Sequence, residues 1–317
     1  MRLHEHPDFA AFVTAAAAER DLAEPLVEKD YWITEMLRVI AATLPDRAIF
    51  KGGTSLSKGW ALLDRLSEDI DLFVDPAIDP PLSKRGIDRT LKRLSNDIAT
   101  IDGLDLLESN TIGGFGRIDT FGYWSLFTGI AGFPPTVRLE PSVQSGNQPT
   151  QDVEISSFVA DLLRKRGATG ALDDVDSLET LTMTLLHFRR TFVEKLFALH
   201  GKVERLKADD HPLGRDARHY ADIHVLAATD EVLAMLRSDE YAEIKADYDT
   251  QSRRFFPKSY RPPDALAFAA SDALYPPDAL RATIEADYER ECARLFYRPH
   301  PPFDDVLARL RDIRALL

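Results

Sequence analysis

The stretch from Phe50 to Val74, FKGGTSLSKGWALLDRLSEDIDLFV, constrains the fold of this chain more than any other. The spacing predicts a strand over AIFKGG that two glycines stop, a helix over TSLSKGWALLD, and a second strand over EDIDLFV. In an extended strand Ser67, Asp69, Asp71 and Phe73 point one way, and Ile70, Leu72 and Val74 the other. The apolar triplet belongs in a core, which leaves two aspartates side by side on the accessible face. Like charges that close cost stability or raise a pKa unless a cation sits between them. Oxygen ligands at this spacing suit Mg²⁺ or Mn²⁺. Gly52 and Gly53 let the backbone approach a ligand, with Thr54 or Ser55 as the expected N-cap and helix-start amides facing an anion. A phosphate-binding turn beside two carboxylates is a contradiction that a metal resolves, because the carboxylates hold cations and the cations hold phosphate. Taken singly, Gly-Gly-Thr is an ordinary tight turn and Asp-x-Asp an ordinary solvated strand face. Their combination at this spacing carries the reading. The P-loop pattern GxxxxGK[ST] and the dinucleotide fingerprint GxGxxG are both absent.

The rest of the chain supplies a frame for this element. Its 317 residues, 44% of them hydrophobic, suffice for one large or two ordinary domains. Residues 8 to 44 read as helical up to Pro45, and a Pro-rich turn precedes an amphipathic helix over KRGIDRTLKRLSNDIAT. FGRIDTFGYWSLFTG and TVRLEPSVQSG read as sheet. From about residue 157 the segments read as helices, among them DSLETLTMTLLHFRRTFVEKLFALHGKVERL. The expected architecture is α+β: a domain over 1–156 that includes the N-terminal helices, then a helical domain over 157–317.

A net charge of −13, from 52 acidic and 39 basic side chains, argues against nonspecific coating of nucleic acid. It leaves room for a local basic patch, for which Arg164 to Arg166, Arg189-Arg190 and Arg253-Arg254 are candidates. SRRFFPKSYR, with Lys258 and Arg261, also interleaves cations with aromatics. No run of about 18 apolar residues occurs, and the first residues have neither a basic nor an apolar signal region. The expectation is a soluble, cytoplasmic protein with no membrane partner. The single Cys292 excludes an intramolecular disulfide and a CxxC metal knuckle.

GGTSLSKGW followed by RLSEDIDLF resembles the signature of the AbiEii/AbiGii-type nucleotidyltransferase toxins, a branch of the polymerase-β-like nucleotidyltransferase superfamily. VEKDYWITEML (27–37), RTFVEKLFALHG (190–201) and RDARHYADIHVL (215–226) match in the same order, so the resemblance spans roughly residues 27 to 226. It implies a mixed sheet with helices, followed by a mainly helical domain that contributes Lys195 and Asp222 to the active-site cleft. Asp69 and Asp71 would be catalytic metal ligands for Mg²⁺ or Mn²⁺. Gly52, Gly53, Thr54, Ser55 and Lys58 would lie along the triphosphate of an NTP. Lys195 matches the catalytic lysine and Asp222 the late aspartate. The implied reaction is nucleotidyl transfer to an RNA 3′ end, with tRNA as the expected acceptor. The implied partner is a cognate antitoxin protein, of transcriptional-regulator or kinase type. Phosphorylation of Ser67, two positions before Asp69, would be a means of neutralisation.

Read without the resemblance, two of these positions have plainer explanations. Lys195 adjoins an apolar stripe of Phe192, Leu196 and Leu199, where a lysine snorkels. Asp222 reads as a helix-surface aspartate paired with Arg218. Glu140, on the outward face of TVRLEPSV with Arg138 and Ser142, is the candidate third carboxylate for the metal, and Glu154 competes with it. His4, His6, His187, His200, His219 and His224 show no metal-ligating spacing and read as bystanders. Two other functions stay open: the same chemistry on a small-molecule (aminoglycoside-like) or protein hydroxyl, and a noncatalytic nucleotide- or partner-binding protein.

Overall fold

The computed structural model describes residues 1–65, 69–129, 133–167 and 176–317. The Ser67 expectation lies outside them. The chain divides into two compact units, one of residues 1–59, 66–143 and 150–185, the other of 60–65, 144–149 and 186–317. No helix among the described residues is long and apolar enough to cross a membrane.

The first unit opens with α1 (Phe9–Arg20) and α2 (Glu24–Thr43), separated where Asp21 turns left-handed at φ 54° and Pro25 starts a new first turn. The single helical span expected up to residue 44 is therefore two helices. Strand β1 (Ala48–Lys51) leads into the short α3 (Gly52–Thr54), which continues as a wider turn over Ser55–Gly59. The helix expected over TSLSKGWALLD ends there. Ala61 takes φ 51°, while the Trp60 indole donates to the Leu186 carbonyl at 3.3 Å and packs edge-on against Phe188. Contacts within the second unit outweigh local helix propensity at this point.

Strand β2 (Asp69–Val74), α4 (Lys84–Ile98), β3 (Leu104–Ile112), β4 (Gly116–Tyr123), β5 (Thr136–Ser142), β6 (Thr150–Ile155), α5 (Phe158–Lys165) and β7 (Leu181–Leu186) complete the unit. The strands form one seven-stranded mixed sheet in the order β3-β4-β5-β2-β1-β7-β6. β1 runs antiparallel to β2 and parallel to β7, and β2 runs parallel to β5. The stretch LTMTLL, expected to be helical, is strand β7. Leu181, Met183 and Leu185 are buried while Thr182 is exposed and Thr184 half-buried, the period of two that a strand imposes.

Register sorts the chemistry to one side of this sheet. Ile70 and Leu72 face the core with Val137 and Leu139, and α2 and α4 pack on that side. There Asp119 of β4, fully buried, accepts from Ser95 of α4 and from Arg117. Asp69, Asp71, Arg138 and Glu140 share the opposite face. The second unit is helical: α6 (Phe188–Asp209), α7 (His219–Leu226), α8 (Asp230–Leu236), α9 (Asp239–Phe255), α10 (Asp278–Leu295) and α11 (Phe303–Asp312). Phe192, Leu196, Tyr220, Ile223, Tyr288 and Phe303 are buried in its core.

Candidate active site

In the first unit the glycine turn and the carboxylate strand form one structure. β1 and β2 pair so that Lys51 stands opposite Asp71, and the chain then turns at Gly52 with φ 75°. A Cβ on Gly52 would collide with Oδ2 of Asp71. Only glycine satisfies both the left-handed backbone and the close approach to the carboxylate. Thr54 is buried and its hydroxyl donates to the Asp69 carbonyl, which ties the turn to β2. Ser55, also buried, donates to the Gly52 carbonyl at 2.9 Å. Thr54 and Ser55 lie inside the turn, and Lys51 takes the N-cap position without a side-chain cap. The hydroxyls expected at the helix start are thus spent on backbone carbonyls.

Parallel pairing of β2 with β5 sets Arg138 beside Asp69 and Glu140 beside Asp71. Register therefore selects Glu140 as the third carboxylate near the pair. Glu154 stands on β6, three strands away from β2. Arg138 Nε lies 3.5 Å from Asp69 Oδ1, and Nη2 donates to Glu140 Oε1. Burial opposes the charge on this guanidinium. The hydrogen bond to Glu140 and the charges of Asp69, Glu140 and Asp71 outweigh that and hold its pKa above the ordinary arginine value. Ile70, Leu72 and Val74 are fully buried and Phe73 nearly so, while Asp69 is 9% exposed and Asp71 half-buried. The aspartates share one face as expected, but that face closes over toward Phe73.

The donor set fits a hard divalent cation: it is all carboxylate, on neighbouring strands, with the backbone of a glycine turn against one ligand. Among the described residues no group of three His, Cys, Asp or Glu side chains is disposed to hold a metal on its own. Mg²⁺ characteristically takes one or two protein carboxylates and completes its shell with substrate phosphate and water.

The ammonium of Lys58 is 2.6 Å from Asp30 Oδ1 and 3.0 Å from the Ser156 carbonyl, and its side chain is almost wholly buried. Asp30 Oδ2 accepts from Phe158 N at the start of α5. Lys58 thus pins the turn to α2 and α5. The motif EKDYW is explained in the same way. Glu28 accepts from Ser125 Oγ and Leu126 N at 2.7 and 2.8 Å, and burial raises its pKa. Trp32 stacks on Tyr123 with ring centroids 5.7 Å apart.

The second unit carries a different cluster. Asp222, fully buried on α7, takes Arg65 in a two-pronged pair at 2.7 and 2.9 Å and Lys195 of α6 at 2.8 Å. It is no helix-surface residue. Burial alone would raise its pKa, but Arg65, Lys195 and a bond to His219 hold it well below the carboxylate range. Lys195 is 5% exposed, and burial lowers its pKa despite the charge of Asp222. Its ammonium is also 3.0 Å from His219 Nδ1. Burial, then the Lys195 charge, push His219 down to about 4. With the ring neutral, Nδ1 either accepts from Lys195 or donates to Asp222, which lies 3.3 Å away. Cys292 is buried and burial pushes its thiol up to about 12, which makes it no nucleophile.

Sequence reasoning missed Arg65 and His219. Arg65 sits in the quoted RLSED motif, but its partner is 157 residues away. A lone arginine in an apolar segment was the available signal. His219 lies one helical turn before Asp222, a spacing that brings the two together on one face.

A family model described as nucleotidyl transferase AbiEii toxin, type IV TA system, matches residues 36–309. No curated protein matches the chain.

Proposed function

The chain belongs to the AbiEii nucleotidyl transferase toxin family of type IV toxin–antitoxin systems, and on that premise we propose that it transfers a nucleoside monophosphate from an NTP to an RNA 3′ end. The acceptor stem of tRNA is the expected acceptor, and loss of translation the consequence. The chain is a nucleotidyltransferase by family, and the family implies a cognate antitoxin. The observation that carries the finer reading is the contact between turn and carboxylate: Gly52 brings backbone against Asp71 where any side chain would collide. Phosphate-approaching backbone beside paired carboxylates is the arrangement that nucleotidyl transfer needs.

In this reading Asp69 and Asp71 hold Mg²⁺ or Mn²⁺, with Glu140 in register beside them. Such an ion supplies charge neutralisation at the triphosphate and orients it for displacement. The acceptor hydroxyl attacks the α-phosphorus, the bond to the β-phosphate oxygen breaks, and pyrophosphate leaves. By resemblance Lys195 matches the catalytic lysine, and its ammonium is held by Asp222. Asp222 and Arg65, both wholly buried, act through the placement of Lys195 and are positioning residues.

Incubating the purified chain with Mg²⁺, each α-labelled NTP in turn and total cellular RNA tests this reading. Label in the tRNA fraction is the expected result. Label on added small molecules or on protein would move the acceptor, and no label on any of them would leave a binding protein. Production of the chain in cells tests toxicity separately, through growth arrest relieved by the antitoxin.

A further inference from the structure

The carboxylate face already contains a cation, Arg138. Its guanidinium lies between Asp69 and Glu140, at 3.5 Å from the first and hydrogen-bonded to the second, in the register row next to Asp71. We propose that Arg138 is a resident counter-cation that competes with the divalent metal for Asp69 and Glu140, and so sets the affinity of the site for that metal. The inference rests on the metal-dependent reading above.

The physical argument is one of shared ligands. A guanidinium satisfies carboxylates through a planar fork of donors, whereas Mg²⁺ and Mn²⁺ demand oxygen ligands near 2.1 Å in octahedral order. An oxygen committed to Arg138 is withdrawn from the metal, so occupancy by one cation opposes the other. With Asp69, Asp71 and Glu140 on one face and Lys51 opposite Asp71, Arg138 spares the face part of its self-repulsion before any metal arrives. The arginine is 39% exposed, which lets it swing into solvent without disturbing the core.

The test is Mn²⁺ binding to the full chain without nucleotide, followed by electron paramagnetic resonance and by the rise in melting temperature with Mn²⁺. Arg138→Gln is expected to bind Mn²⁺ on the order of tenfold more tightly than the unaltered chain and to melt lower when metal-free. Arg138→Lys, which keeps the charge without the fork, should fall between them and serves if the glutamine variant folds poorly. Equal or weaker binding by folded Arg138→Gln, with binding still abolished by Asp69→Asn, would overturn the counter-cation role alone. No Mn²⁺ binding by any of the folded proteins, with or without an NTP present, would overturn it together with the metal-dependent reading.

Discussion

The two charged clusters are built on opposite plans. On the sheet face of the first unit, three carboxylates meet an arginine that is 39% exposed. In the second unit Asp222, Arg65 and Lys195 are sealed from water and every oxygen of the aspartate is engaged. The first arrangement leaves its cation open to solvent, as the proposed reaction requires. In the second, stripping one partner leaves a buried charge alone. Comparable residue types are thus left accessible in one place and locked together in the other, and burial makes the difference.

Substitutions that separate these plans differ in size. Asp222→Ala should have the largest effect on stability, about 3–5 kcal/mol in chemical denaturation, since it leaves two buried cations without a counter-charge. Asp69→Asn should instead leave the denaturation midpoint nearly unchanged while nucleotidyl transfer falls at least about 100-fold, the range seen when metal sites are disturbed. If Asp69→Asn proved the destabilised protein and Asp222→Ala the merely inactive one, the comparison would be reversed. Gly52→Ala comes next. The left-handed backbone costs about 1–2 kcal/mol, and the collision with Asp71 adds a loss of transfer activity that Gly214→Ala, with φ 55° and nothing near its missing Cβ, should not show.

The last expected effect is confined to acid and shows as pH dependence. Folded His219 titrates near 4, below its ordinary 6.5, so from pH 6.5 downward the unfolded chain takes the proton first and stability falls. The loss ends near pH 4, where both states are protonated. His219→Gln should remove about 1.4 kcal/mol per pH unit from that slope within this window. The difference between the two melting curves is the readout, because His187 also titrates near 4 and contributes equally to both proteins.

The strand, the paired aspartates and the glycine turn were legible because they depend on neighbours in sequence: period two for Asp69 and Asp71, a breaker at Gly52. Glu140 was half legible, since alternation set its face and only register could set it beside Asp71 in preference to Glu154. The partner of Lys58 was not legible, because Asp30 lies 28 residues back. LTMTLL was read as helix by continuity with the helix that follows, although alternating threonines carried the strand signal. The cluster around Asp222 was hidden for the same reason as Lys58: ion pairs across 27 and 157 residues leave no local pattern.

Nucleotidyl transfer turns on which phosphorus of the nucleotide stays with the acceptor. RNA incubated with the chain, Mg²⁺ and NTP labelled at either the α- or the γ-phosphate decides it. Nucleotidyl transfer predicts that α-label is retained on RNA, that γ-label leaves as pyrophosphate, and that Asp69→Asn retains neither. Retention of γ-label on RNA, or equal α-labelling by Asp69→Asn, would contradict it.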